Sequence, residues 1–196
     1  MLRRDSIVTV PEGRISPGGD FYLDVPELVV LPSDRIGITG GNGAGKSTLM
    51  GRIFSLLTIP PERVVFIPQE IGEVEWERVR GGMQDLGSDR LGELLTVVHR
   101  LGSEPERVLS SVSPSPGEKR KIMLGLGILK NPALIMMDEP ANHMDIFSLQ
   151  CIEDSLKEFS GALIVVSHDV RFIQHVTLIE WNLVREHGCS GLVVKR

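Results

Sequence analysis

Apolar and polar positions change rhythm several times along the chain, and each change marks an element. Residues 7–10 (Ile-Val-Thr-Val) form a short β-branched run, and residues 17–20 (Pro-Gly-Gly-Asp) read as a turn. Residues 21–30 hold alternating apolar positions broken by Pro26, so the N-terminal stretch reads as β structure. Residues 35–39 predict a buried strand, and a glycine-rich stretch follows it. Residues 46–57 have helical spacing, with Leu49, Ile53, Leu56 and Leu57 on one face. Residues 64–67 predict the next strand, ended by Pro68.

The middle of the chain, residues 72–111, lacks strand signals and carries two helical patterns, 74–79 and 91–101, which predict a helical lobe. After Pro116 a helix is expected to about residue 129. Strand 134–137, helix 146–159, strand 163–166 and a short helix 169–176 then alternate. Such alternation implies a parallel sheet covered by helices. Residues 177–196 read as short strands joined through Gly188.

Composition narrows the function classes. With 196 residues, 41% of them hydrophobic, the chain can bury one proper core. Lys and Arg number 21 against 26 Asp and Glu, a net charge of −5, so bulk charge does not recommend nucleic acid as a partner. No stretch approaches roughly 18 consecutive apolar residues, so the chain is not expected to span a membrane. Met1-Leu2-Arg3-Arg4-Asp5 is too polar for a secretory leader, and Cys151 and Cys189 form no disulfide framework, so a reducing cytoplasm is expected. The 21 glycines exceed the usual share of about 7%, and several fall together after the strand at 35–39.

Those glycines belong to Gly40-Gly41-Asn42-Gly43-Ala44-Gly45-Lys46-Ser47, which fits G-x-x-x-x-G-K-[ST]. Glycines let successive backbone N–H groups turn toward phosphate oxygens, and the helix that starts near Gly45 adds its positive end. Lys46 is placed to reach the β- and γ-phosphates, and Ser47 offers a hydroxyl to Mg²⁺. Leu134-Ile135-Met136-Met137-Asp138-Glu139 supplies a second half: an apolar strand ending in two acids delivers carboxylates to the C-terminal edge of a parallel sheet, where ligands bind. Asp138 is a candidate for holding Mg²⁺, and Glu139 for orienting or deprotonating an attacking water.

In order along the chain, these residues resemble the ATP-binding cassette (ABC) ATPases, and the resemblance covers nearly all of it. Gly40 to Thr48 resembles the Walker A loop, Gln69 the Q-loop glutamine, and Ser115-Pro116-Gly117-Glu118 the signature motif. Asp138-Glu139 resembles Walker B, Met144-Asp145 the D-loop, and Ser167-His168-Asp169 the switch-histidine segment. The resemblance implies an α/β fold: a P-loop NTPase core with a mainly parallel sheet, an N-terminal antiparallel β lobe and a helical signature lobe. As a single domain over 1–196, it would divide into a β lobe (1–34), a core (35–70 and 117–196) and a helical lobe (71–116).

The resemblance also implies ATP and Mg²⁺ as cofactors. Gly40, Asn42, Gly43, Ala44, Gly45, Lys46, Ser47 and Thr48 would bind nucleotide, and Ser47, Gln69 and Asp138 the metal. Glu139, His168 and Gln69 would act in hydrolysis, with His168 on the γ-phosphate. Ser115 and Gly117 would contact nucleotide held by a second cassette, supplied by the same chain or by a homodimer, because family members close head to tail on ATP. Pro116 stands where the family has a glycine and removes one backbone donor, so that contact would lean on Ser115 and the Gly117 N–H. No aromatic stands clearly where the family stacks adenine; Phe21 and Tyr22 are nearby but are expected to pack in the β lobe. The basic run Lys119-Arg120-Lys121 is expected on a solvated helix face, and His143, His175 and Cys151 to be structural.

Glu139-Pro140-Ala141-Asn142-His143-Met144-Asp145 is similar to the E-P-T-N-H-L-D run of ABC-F proteins, and Ser167 to Phe172 to their S-H-D-R-x-F. That subgroup implies one cassette, the C-terminal one, of a soluble protein acting on ribosomes. Two alternatives stand beside it: the ATPase subunit of a membrane transporter, docked on a transmembrane partner, and a nucleotide-gated interaction module with negligible hydrolysis. Chromosome-type ABC ATPases are disfavoured, because no coiled-coil insertion interrupts the helical lobe.

Overall fold

A computed structural model describes residues 6–16, 18, 21–111, 113–142, 144–186 and 189–195, with the Glu186 side chain excluded. The polar start at Met1–Asp5, most of the turn expected at 17–20, His143 and the joint at Gly188 lie outside the described residues.

In the N-terminal region, β1 (Val8–Val10) pairs antiparallel with β4 (Leu28–Val30), while β2 (Gly13–Ile15) pairs antiparallel with β3 (Tyr22–Val25). Pro26 separates β3 from β4, as a residue without a backbone donor must inside an alternating run. The main chain of the core follows: β5 (Arg35–Gly40), α1 (Lys46–Ser55), β6 (Val64–Ile67), β7 (Leu134–Asp138), α6 (Ile146–Glu158), β8 (Ala162–Val166) and α7 (Val170–Val176). The chain closes with β9 (Ile179–Glu186) and β10 (Cys189–Lys195), an antiparallel pair longer than the short strands expected. Between β6 and β7 stand four helices: α2 (Glu73–Gln84), α3 (Ser88–Arg100), α4 (Pro105–Ser110) and α5 (Pro116–Ile128). Helix α4 was not expected; Pro105 at its first turn is the sequence signal for it.

The eight-stranded sheet has the order β2-β3-β10-β9-β5-β8-β7-β6, and β9, β5, β8, β7 and β6 run parallel. The antiparallel N-terminal strands are therefore divided: β2 and β3 join the main sheet through β10, and only β1 and β4 form a separate pair.

Alternation along the central strands feeds two cores. Leu134, Met136, Ile164, Val166, Ile36 and Ile38 face α1 and the N-terminal strands, meeting Leu49, Met50 and Ile53. Ile135, Met137, Leu163 and Val165 face the other side and meet Leu124 of α5, Ile152 and Leu156 of α6, and Phe172 of α7. A third cluster, with Trp76, Leu94, Val98, Val108 and Ile122, holds the helical lobe together. Helix α1 stops at Ser55, so Leu56 and Leu57 pack from beyond its end, and Met50 takes a place on its buried face. Among the described residues no helix is long and apolar enough to cross a membrane.

One side chain ties α6 and α7 of the second layer to the sheet. From the start of β5, Arg35 donates from Nε to the Val176 carbonyl (2.8 Å), from Nη1 to Phe159 (2.9 Å) and from Nη2 to Leu156 (2.6 Å). Those carbonyls are at the C-terminal ends of α7 and α6, where helices leave acceptors unpaired. Arg35→Met is expected to lower stability by about 2–3 kcal/mol, since charge-assisted bonds are lost and half-buried carbonyls stranded. For a domain of this size that is a fall in Tm of roughly 5–10 °C. An unchanged melting temperature by circular dichroism would show that the tie contributes nothing.

Candidate phosphate site at the edge of the parallel sheet

The loop between β5 and α1 is shaped by its glycines. Gly40 has φ +139°, and a Cβ there would lie 2.5 Å from the Leu183 carbonyl oxygen of β9. Gly45 is the N-cap of α1 with φ +98°, and no side chain caps the helix or places an acid in its first turn. The first-turn N–H groups therefore open toward any anion in front of them.

Lys46 begins α1 and folds back over the loop, only 8% exposed. Its ammonium donates to the Gly40 carbonyl (3.0 Å) and the Gly41 carbonyl (3.2 Å), and stands 2.9 Å from His168 Nε2. Burial lowers its pKa, and the nearby Glu139 and Asp138 carboxylates work against that. The lysine is thus a confined charge that an anion can draw off its two carbonyls.

Facing it is the end of β7. Ser47 Oγ donates to Asp138 Oδ2 at 3.2 Å, while Asp138 Oδ1 is buried without a hydrogen-bond partner. Burial pushes the Asp138 carboxyl above the usual range, opposed by the Ser47 bond, Lys46 and Arg120. An orphaned carboxylate oxygen next to a serine hydroxyl fits a hard cation such as Mg²⁺, which takes one or two protein ligands and completes its shell from water and phosphate. No cluster of three or more His, Cys, Asp and Glu side chains among the described residues forms a cage by itself, and Mg²⁺ needs none.

Glu139 follows with φ +50°, a conformation that is strained for a residue with a Cβ. Its N–H donates to the Val166 carbonyl (2.8 Å), and its Oε2 accepts from the His168 backbone N–H (3.2 Å). Its Oε1 lies 3.3 Å from His168 Nε2. Three elements thus bring both Lys46 and Glu139 against His168 Nε2.

The cavity they face has a volume of about 590 Å³. Asn42, Gly43, Gly45, Lys46, Ser47, Thr48, Gln69, Asp138, Glu139 and His168 all line it. Of the other loop residues expected at the site, Gly40 forms the turn behind the loop and Ala44 is buried beneath it. Phe21 reaches the same cavity, its ring against Gly45 and 5.8 Å from the Arg185 guanidinium. It also packs on the core, as expected, whereas Tyr22 is half-exposed beneath Arg14.

Ser115 and Gly117 are elsewhere. They line a recess of about 220 Å³ with Glu118, Lys121, Asp145 and Ser148. Ser115 caps α5 in a reciprocal box: its Oγ accepts from the Glu118 N–H (3.2 Å) and its N–H donates to Glu118 Oε2 (2.8 Å). Burial would raise the Glu118 carboxyl, but the Ser115 bonds and Arg107 hold it below its usual value. Pro116 fits the first helical position, where no donor is needed.

The basic run is a correction. Lys119-Arg120-Lys121 does not lie on a solvated face. Lys119 packs over the Trp76 ring at 5.3 Å, Arg120 is 2% exposed, and Lys121 is buried against Ser148 Oγ (2.6 Å) and the Gly102 carbonyl (2.9 Å). The signal was present in the spacing: Gly117, Arg120, Lys121, Leu124 and Gly125 form one helical stripe, and that stripe is the buried one. Asn142, which lines the cavity beside Glu139, was also missed as a site residue. His175, expected to be structural, pairs its Nδ1 with Glu153 Oε2 at 2.9 Å, and Cys151 is half-buried under Gly102.

No family model matches the chain. It is 31% identical over 189 residues to the ATP-binding protein Uup of Caulobacter vibrioides, covering 89% of this chain and 29% of that protein. It is 28% identical over 231 residues to the energy-dependent translational throttle protein EttA of Mycobacterium tuberculosis, covering 93% of this chain and 41% of that protein. The chain thus spans well under half the length of the curated relatives it matches. Among solved structures, a putative metal-chelate type ABC transporter aligns with a TM-score of 0.72 at 15% identity, over 97% of this chain and 83% of that one. A ribosome-bound archaeal Pelota–ABCE1 structure aligns with a TM-score of 0.69 at 21% identity, over 98% of this chain and 35% of that one. Both likenesses show the cassette fold.

A pH test follows from the Asp138 shift. A carboxyl whose folded pKa is raised weakens the fold when ionised, and that penalty disappears as pH falls through the raised value. Without divalent cation, Asp138→Asn is therefore expected to raise Tm at pH 7, with the gain shrinking toward acid pH. A lower Tm for the variant at pH 7, in the presence of a chelator, would contradict this.

Proposed function

The chain belongs to the ATP-binding cassette family and its relatives are ABC-F proteins, and from this we propose that it binds ATP with Mg²⁺, hydrolyses it, and closes head to tail on a second cassette. The observation that carries the reading is the meeting of Lys46, Ser47, Asp138, Glu139 and His168 around one cavity in front of an uncapped helix.

The loop amides of Gly43 and Gly45 and the start of α1 cradle the phosphates. Lys46 leaves the Gly40 and Gly41 carbonyls and donates to the β- and γ-phosphates. Ser47 and Asp138 would hold the cation, and Gln69 lines the same cavity; Mg²⁺, when bound, would offset the negative charge on the phosphate oxygens. Glu139 orients a water and accepts its proton as the water oxygen bonds to the γ-phosphorus. The bond from that phosphorus to the β-bridging oxygen breaks, ADP leaves with the electron pair, and inorganic phosphate is the second product. His168, 2.9 Å from Lys46 Nζ, is within reach of a γ-phosphate oxygen and stabilises the charge there.

The Ser115 recess of one cassette supplies what the phosphate cavity of the other lacks. Its helix start is rigid because the Ser115–Glu118 box locks it. The Gly117 N–H and the Ser115 hydroxyl would face the γ-phosphate of the partner cassette, so ATP becomes the adhesive between the two. The names of the relatives, a translational throttle protein among them, favour a ribosomal setting. A second reading, the ATPase subunit of a transporter, is favoured by an apolar cleft of about 570 Å³ beside β6, lined by Val64, Phe66, Val79, Leu86 and Met123. Sedimentation of the ATP-loaded chain with purified ribosomes separates the two: ribosome binding supports the first and its absence the second.

Glu139→Gln is expected to keep ATP affinity while hydrolysis falls roughly 100-fold or more, the scale of a lost general base. The same variant should gather in an ATP-dependent dimer by analytical ultracentrifugation; wild-type turnover would remove Glu139 from this role. Lys46→Ala should weaken ATP binding about 10-fold or more by calorimetry, because a confined charge-assisted contact is lost. Unchanged affinity would place the phosphates elsewhere.

A further inference from the structure

Arg120 belongs to neither cavity, yet it touches the backbone of both sides of the phosphate site. It stands one turn into α5, past the Ser115 cap, and is 2% exposed. Its guanidinium points away from solvent in two directions: Nη1 donates to the Asn142 carbonyl and Nη2 to the Gln69 carbonyl. Both acceptor residues line the phosphate cavity. The Asn142 N–H in turn donates to the Glu139 carbonyl at 3.2 Å, so Arg120 stands two bonds from the strained Glu139 backbone.

A buried arginine is usually neutralised by a carboxylate or phosphate. Here its bonds run to main-chain oxygens, so what the side chain fixes is the position of two loops. Burial lowers its pKa, and Asp138 and Glu139 act to raise it, which places the charge within the field of the site's own acids. The planar fork suits the task, since its two terminal nitrogens are held apart in one plane and each serves a carbonyl of a different loop. Lys121, the next residue, ties the same helix to a third loop: its Nζ donates to Ser148 Oγ (2.6 Å), which donates to Asp145 Oδ2 (2.6 Å).

Resting on the function proposed above, we infer that Arg120 is a positioning residue that registers the signature helix against Gln69 and the 139–142 turn. Ser115 and Gly117 at the exposed end of α5 would meet the nucleotide of the partner cassette, and Arg120 joins the same rigid helix to the hydrolytic groups of its own cassette. Docking at one site is thereby felt at the other, through a helix, a guanidinium and two carbonyls. Arg120 touches neither nucleotide nor water in this arrangement; it acts through Gln69 and Glu139.

The test separates binding from turnover. ATP affinity by calorimetry and kcat by phosphate release are measured on the wild-type chain, Arg120→Met and Arg120→Lys, each first shown to melt cooperatively. Arg120→Lys keeps a buried cation but lacks the planar two-pronged fork, and it serves if Arg120→Met does not fold. The expected result is a fall in kcat of roughly 10-fold or more with the ATP dissociation constant held within about twofold, the mark of misplaced hydrolytic groups. Wild-type kcat in a folded variant overturns the inference, and so does a parallel loss of binding and turnover, which would signify general damage. A wild-type chain that binds ATP without hydrolysing it overturns the proposed function, and this inference with it, before any substitution is made.

Discussion

The parallel pairing of β5, β8 and β7 is the constraint on which the site depends. Ile38 and Asp138 both stand opposite Val166, so β8 and β7 end level with one another and β5 runs two residues further at the same edge of the sheet. Whatever follows each strand must emerge there: the glycine loop and Lys46 after β5, His168 after β8, and Glu139 after β7. A slip of one residue in β7 would carry Asp138 into the apolar layer occupied by Met137 and turn every side chain of the strand to the opposite face. Because both faces of β7 are buried, the two cores lock the register, and the register in turn sets the chemistry.

Bringing so many polar groups to one edge leaves some of them unsatisfied. Asp138 Oδ1 and Glu139 Oε1 are buried with no hydrogen bond, Glu139 has a left-handed backbone, and Lys46 is held by its own loop. Strain and unpaired charge of this kind weaken a fold and persist only where the surroundings over-determine the geometry. Two features do so here: the Glu139 N–H bond to Val166 continues the sheet beyond β7, and the Arg35 fork pins α6 and α7 behind it. A triphosphate with its cation, as proposed above, would satisfy the loop amides, the lysine and the orphan oxygen together.

Helix α5 links the two recesses proposed to meet a nucleotide. Its capped start lines the signature recess, and its buried stripe carries two cations into the interior: Arg120 ends on the Gln69 and Asn142 carbonyls, and Lys121 on the Gly102 carbonyl and Ser148 of α6. A small residue on the same helix also allows close packing: a Cβ on Gly127 would lie 2.4 Å from Val65 Cγ2 of β6. A helix so closely seated moves with the strands, or moves the loops if it shifts.

Local pattern alone determined the order and type of nearly every element, because apolar spacing reports which face is buried whatever it is buried against. It also picked out Lys46, Ser47, Asp138 and Glu139, whose residue types in sequence already state a phosphate and a cation. Gln69 and His168 came only through resemblance to a family, and the structure sets both at the same cavity. What tertiary structure decided was partnership. A charged run such as Lys119-Arg120-Lys121 looks solvated until the carbonyls of Gly102, Asn142 and Gln69 are brought to it from 19 to 51 residues away in the chain. The joining of β2 and β3 to the main sheet through β10, and the approach of Phe21 to Gly45, were equally invisible. Hydrogen bonds between distant segments depend on which surfaces meet, and that is settled by the packing of the whole chain and not by any stretch of it.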